Sequence, residues 1–496
     1  MKTAVKACVV AYAAVGAWAG RCDAGSPGAS FAGRTWHVSA DAGDGGDGSS
    51  ARPFRQVQQA VSAADDGDVI RIGAGLYREG ESATGDGTPA RVSLVRRVRL
   101  VGAGRGLTVI EGGAGLGADG LGAGAVRGLY LAAEAHGSLV ERLTVRGGRT
   151  VGAAEQGGGA WCAGDASATN AFVDCTFSDC VSGGAGGALS GGLLVRALVE
   201  RCTSVTPLLG AVARTQGAFN CVFVGCGRSG GDYQHNLNCP VVGTGDYGPF
   251  VNCTFTANEG YAAQKVDTAS LARLVFRNCL FFGHRIVSVE PYADSAYCAT
   301  TLPGQLPTGK GNFGSGDESD LSSPYQMVSP LTDWRLRAES PLVDAGSDEA
   351  LALVPEAYRA ADFYGRPRVQ GGRVDIGAAE GGVACASGIV KFPRSLASST
   401  NVFVNGRRIV KAGMWQGNSD RHDWIYLSAA EFPARVRLDC DPGETNALFG
   451  LATGLKDRKN VDLYRFPNPD GRSFTIALPP AGQEVEMTVH YANGVK

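Results

Sequence analysis

Apolar and polar positions in the middle of the chain repeat a short phrase. An apolar residue precedes a cysteine by two or three places, a polar residue stands directly before it, and a small or apolar residue follows two places later. Five copies read Phe172-Val-Asp-Cys175-Thr-Phe177, Val199-Glu-Arg-Cys202-Thr-Ser204, Phe219-Asn-Cys221-Val-Phe223, Phe250-Val-Asn-Cys253-Thr-Phe255 and Phe276-Arg-Asn-Cys279-Leu-Phe281. Leu139-Val-Glu-Arg-Leu143-Thr-Val145 is the same unit with leucine in the cysteine's place. The steps between units are roughly 20 to 30 residues, the spacing of stacked supersecondary repeats. A straight strand cannot hold all these positions on one face, because the alternation of side chains fails between the apolar residue and the cysteine. A bend must fall between them. The residue before the cysteine is Asn220, Asn252 or Asn278, with Asp174, Arg201 and Arg142 as departures. Asn and Asp tolerate left-handed backbone angles, so this position predicts a corner, and stacked corners would let asparagine amides bond along the stack. Cys180, Pro207, Cys226, Asn258 and His284, five places on, predict the next corner.

Upstream, the pattern changes period. Val57, Ala60, Val61 and Ala64 fall on one face of a helix that Asp65-Asp-Gly67 stops. A lone helix ahead of many strands can cover the open end of a stack. Trp36-His-Val-Ser and Val69-Ile-Arg-Ile72 flank it as short strands. Beyond residue 386, alternating runs such as Asn401–Val404, Trp424–Leu427, Val436–Leu438, Phe474–Leu478 and Val485–Tyr491 are separated by Asn405-Gly406, Asp441-Pro-Gly443 and Asp470-Gly471. They predict a small β-sandwich.

These phrases resemble the right-handed parallel β-helix of the pectin-lyase-like superfamily. Trp36-His-Val-Ser, Pro53-Phe54 and Gly67-Asp-Val-Ile-Arg-Ile-Gly-Ala-Gly75-Leu-Tyr77 look like the N-terminal cap and first coil of secreted bacterial members. Asp333-Trp-Arg-Leu336, Ser340-Pro-Leu-Val-Asp344-Ala-Gly346, Asp362-Phe-Tyr-Gly365-Arg366-Pro-Arg368 and Val374-Asp375-Ile-Gly377-Ala-Ala-Glu380 look like the choice-of-anchor Q region that closes many such helices. Asp344, Asp362, Arg366 and Asp375 are expected to form a structural knot of ion pairs and hydrogen bonds. The fold expected is all-β: a cap and first coil over 34–90, coils over 91–330, a closing region over 331–382 and the sandwich-like domain over 386–496.

The chain has 496 residues, 44% hydrophobic and 19% charged, enough apolar content for a large core. Its net charge of −2 gives no electrostatic footprint for nucleic acid. Lys2 and Lys6, an apolar run from Ala7 to Ala19 and small residues to Gly20 read as a signal peptide over 1–20. No later stretch reaches the ~18 apolar residues of a membrane helix. The expected location is therefore extracellular or cell-surface, with a monomeric state. Export and fourteen cysteines together invite a disulfide reading. Recurrence at one inward repeat position favours buried free thiols instead, leaving Cys385 with Cys440 as the more plausible bond.

The resemblance implies chemistry on polysaccharide. Pectate-type lyases use Arg or Lys to take the proton alpha to a uronate carboxylate, with calcium neutralising that carboxylate. Such groups project outward from one sheet into a groove walled by loops. The densest polar and aromatic cluster here runs from Asp232 to Arg285, and it supplies the catalytic candidates His235, Lys265, Asp267 and Arg273. Glu259, Glu290 and Asp294 are too scattered to select a hydrolase pair. No cofactor is firmly implied. Calcium is conceivable, and Asp41, Asp44 and Asp47 could bind it, although turn formation is the simpler use. No GxSxG, HExxH or phosphate-loop element occurs. Two functions remain: binding or processing extracellular or cell-wall polysaccharide, as a lyase or glycoside hydrolase, and a non-catalytic adhesive role with the β-helix as a stalk.

Overall fold

In the computed structural model, residues 31–382 are described except for 153, 165–168, 207–208, 228–240, 244–247, 259–261, 263–273, 283–292, 301–305, 307–308, 314–326, 330–331 and 339. Beyond 382, the description covers the strands between 387 and 491. The expected signal peptide, Pro207, His284 and the Cys385–Cys440 pairing lie outside the described residues.

Three parallel sheets wind along one axis. The first has ten strands, from Thr35–Val38 to Ala293–Ala296, and the second nine, from Gly75–Tyr77 to Ala299–Thr300. The third has five: Ala90–Leu94, Arg127–Leu131, Ala160–Cys162, Leu189–Ser190 and Val212–Ala213. The chain visits the sheets in that order in the coils that carry all three, the third sheet ending at Val212–Ala213, and each strand pairs with its equivalent one coil away. The fold is an all-β parallel β-helix. Inward residues form one continuous core in which Phe223, Phe255 and Phe281 stack at 4.7 and 5.0 Å.

The turn from the first sheet to the second is a single left-handed residue. Arg142, Asp174, Arg196, Asn220, Asn252, Asn278 and Tyr297 occupy it in successive coils, with φ between 46 and 56°. This is the expected corner, but the amide ladder has a single rung: Asn278 Nδ2 donates to Asn252 Oδ1 at 2.9 Å, while Asn252 Nδ2 does not continue it and Asn220 Nδ2 turns to Ala361 O at 3.1 Å. One unit departs from the sequence reading. Cys202 does not belong to the series of Cys175; it follows Arg201 at the next corner, with Cys180 and Cys226. The first-corner residues of that coil are Arg196 and Ala197. At Asp179 and Arg201 the second corner uses a left-handed charged residue followed by an inward cysteine, as Asp174 and Cys175 do at the first, so a local pattern cannot tell them apart.

Two thiol columns result. Cys175, Cys221, Cys253, Cys279 and Cys298 follow the first corner, and Cys180, Cys202 and Cys226 the second. With Cys162, all nine are buried and free. Each column bonds along the stack: Cys253 Sγ donates to Ala218 O and Cys279 Sγ to Phe250 O, both at 3.3 Å. Burial pushes the thiols of Cys162, Cys175 and Cys226 up to about 12, so they stay protonated and inert.

The helix Val57–Ala63 buries the expected Val57, Ala60 and Val61. Its Gln58 side chain bonds both the N–H and the C=O of Ser93, at 2.8 and 3.3 Å, satisfying the free edge of the third sheet. Residues 327–380 lie along the flank. Ala350, Val354 and Tyr358 pack on the outer face of the first sheet, and Met327, Trp334, Leu336, Leu342, Phe363 and Ile376 on that of the second. The knot of carboxylates is there: Arg366 pairs with Asp362 at 3.1 Å, and Asp375 Oδ1 accepts from Asp344 N–H at 2.7 Å. A buried Arg368–Glu380 pair at 2.8 Å completes it. The strands from Ser387–Phe392 to Thr488–Tyr491 form two five-stranded antiparallel sheets.

Candidate functional site

His235, Lys265, Asp267 and Arg273 lie outside the described residues, as do Asp232, Glu259, Arg285 and Glu290. Asn258 of that cluster and Asp294 beyond it have structural partners. Asn258 is buried, accepts from Cys226 N–H at 2.8 Å and donates to Phe223 O at 3.0 Å. Asp294 pairs with Arg277 at 2.6 Å and Lys310 at 3.2 Å, and these partners hold its carboxyl below the usual range against the effect of burial. Asp47 accepts from Ser49 N–H at 2.9 Å, and the Ser49 side chain first and this turn bond second lower its pKa. Among the described residues no group of three His, Cys, Asp or Glu side chains gathers to hold a metal ion.

The outward face of the third sheet carries a different constellation. Strand register places Ser93, Tyr130, Trp161 and Ser190 side by side in four consecutive coils. Their strand neighbours Val92, Leu94, Leu129, Leu131, Ala160 and Leu189 belong to the core, so alternation turns this row away from it. Tyr130 and Trp161 are half-buried, with ring centres 5.3 Å apart and planes tilted by 52°. At one end, Ser190 Oγ lies 2.7 Å from Gln156 Oε1.

A buried ion pair fixes the aromatic pair from the side. Arg127 is fully buried, with its guanidinium 5.0 Å from the Trp161 ring centre and Asp86 at 2.6 Å. It also donates to Gly157 O at 2.9 Å and Gln156 O at 2.8 Å, tying the loop before Ala160 to the Asp86 loop. Burial works to raise the Asp86 carboxyl, but the hydrogen bond and charge of Arg127 win and hold it low. The Tyr130 hydroxyl is raised by burial first and by the charges of Asp86 and Glu134 second, so it remains a neutral donor. Exposed faces of tilted aromatics flanked by amide and hydroxyl groups suit a sugar, whose C–H faces stack while its hydroxyls hydrogen-bond. Tyr130 and Trp161 were concealed in the sequence because each is one aromatic between two core residues. The detectable signal was an aromatic at the outward parity of a buried strand.

No family model matches the sequence, and no curated protein matches it. Two solved structures are similar in part. Pectate lyase Pel9A aligns over 70% of this chain and 96% of its own, at 14% identity and a TM-score of 0.39. A rhamnogalacturonan lyase aligns over 58% of this chain and 75% of its own, at 12% identity and a TM-score of 0.31. With values this low, the fold assignment stands on the strand pairing itself.

Proposed function

We propose that this is an exported protein that acts on polysaccharide, with the glycan lying along the outward face of the third sheet. The observation that carries the reading is the Tyr130–Trp161 pair, held by the buried Arg127–Asp86 bridge on a rigid parallel sheet. Rigid aromatic faces bind sugars with little ordering cost. Export is supported by the basic, apolar and small-residue order of residues 1–20, and surface residence by the choice-of-anchor Q-like phrases at 333–380.

The test uses the full chain on a polysaccharide panel. Reducing ends and the absorbance of unsaturated products report cleavage, and a glycan array reports binding. The expected result is retention of at least one polysaccharide class, weakened roughly tenfold, or about 1.4 kcal/mol, by Trp161→Ala. Neither turnover nor glycan retention on any member would sink the proposal.

A further inference from the structure

A second concave feature lies at the corner between the first and second sheets. Its floor is the left-handed column in which Arg142, Asp174 and Arg196 follow one another in successive coils. Arg105 enters from the turn between the strands Arg99–Gly102 and Thr108–Glu111, and the segment 361–365 forms the far wall. The cleft has a volume of about 570 Å³.

Arg105, Arg142 and Arg196 line the cleft with one carboxylate, that of Asp174. Asp174 is committed to Arg196 through two bonds of 2.8 Å, the bidentate geometry that neutralises one charge fully. Arg105 reaches the same carboxylate only at 3.4 Å. Its Nη2 also donates to Arg196 O, while its Nε is buried without a partner. Burial pushes the Arg105 pKa down despite Asp174, whereas Asp174 raises that of Arg196. The carboxylate therefore serves Arg196 and leaves Arg105 under-compensated. Arg142 donates to Ala103 O at 3.0 Å and has no carboxylate partner among the described residues. The wall opposite is aromatic: the Arg105 guanidinium sits 4.5 Å from the Phe363 ring centre, and Tyr364 beside it is 40% exposed.

We propose that this corner is an oxyanion-binding site, receiving the carboxylate or sulfate ester of an acidic saccharide between Arg105 and Arg142 against the Phe363–Tyr364 wall. Excess positive charge in a partly desolvated cleft favours an anion more than the same charges would in open water. Guanidinium forks match either oxyanion. The saccharide part rests on the polysaccharide reading above; the oxyanion part stands without it.

The full chain is titrated calorimetrically with sodium sulfate, a uronate oligosaccharide and a sulfated oligosaccharide, with chloride holding ionic strength constant. Saturable sulfate binding is expected, together with binding of one oligosaccharide type, which identifies the source of the oxyanion. Arg142→Asn removes the charge while supplying the residue this corner already uses at Asn220, Asn252 and Asn278, so its unfolding midpoint should match that of the native chain. Its affinity for every probe should fall roughly tenfold, as should that of Arg105→Gln. Trp161→Ala should bind sulfate normally. A sulfate response no different from chloride, or Arg142→Asn with native affinity, would overturn the site. Saturable sulfate binding with neither oligosaccharide bound would overturn the saccharide assignment.

Discussion

Asn278 shows how much one corner residue carries. Its φ of 53° lies in the left-handed region, and its side chain is fully buried. Nδ2 donates to Asn252 Oδ1 at 2.9 Å and Ser347 O at 3.0 Å, and Oδ1 accepts from Ser347 N–H at 2.8 Å. The amide thus joins two coils to the flanking segment. Asn278→Ala combines a left-handed cost of about 1–2 kcal/mol with unsatisfied buried groups costing about 1–3 kcal/mol. Asn278→Gly keeps the second loss and relieves the first. Chemical denaturation should therefore rank native above Gly above Ala, with Ala roughly 3 kcal/mol below native. Equal Gly and Ala values would show that the corner angle is not what the residue supplies. The sequence disclosed this column because Asn recurs there. It disclosed less at Arg142, Asp174 and Arg196, where charged residues adopt the same angle and serve the cleft instead.

At the scale of elements, the repeat was legible and its phase was not. Phe172-Val-Asp-Cys175 and Val199-Glu-Arg-Cys202 share a grammar, yet they turn different corners of the coil. Only strand pairing separates them, because Arg196-Ala197 lacks the cysteine that would mark the true equivalent. The flanking segment was legible as a carboxylate knot, but the expected four residues leave out its buried pair, Arg368 and Glu380, both essentially unexposed. Burial pushes Glu380 up to about 7, outweighing the attraction of Arg368, and it also raises Asp375. In the unfolded chain Glu380 titrates in the ordinary carboxylate range, near 4.3. Between these values the folded state binds more protons than the unfolded state, so stability falls as pH rises through the window. A shift of this size is worth roughly 4 kcal/mol. The carboxylates held low by arginines, Asp86 and Asp174 among them, lose their contribution only below it. Proteolytic resistance of residues 342–380 should therefore be greater at pH 5 than at pH 8, with Glu380→Gln flattening the difference. Resistance that increases toward pH 8, or an unchanged slope in the variant, would contradict this account.

For the whole molecule, the winding order fixes which surfaces can work together. The coils that carry both sites run from the first sheet through the left-handed corner to the second sheet, and then to the third. The corner cleft and the Tyr130–Trp161 row therefore lie on opposite sides of the coil cross-section, separated by the packed core. One straight glycan strand cannot touch both. If each site takes a segment of acidic polysaccharide, a single protein joins two strands, and long chains become networks through multivalency. Light scattering should then show large particles when the full chain meets a long acidic polysaccharide, and none with short oligosaccharides. Arg142→Asn and Trp161→Ala should each raise the protein concentration at which large particles form roughly tenfold, because either change weakens one of the two attachments by that factor. Large particles forming at the native concentration in either variant would mean that the two faces do not act as separate attachment points. Particles that never exceed one glycan per protein would place both segments of binding on a single face.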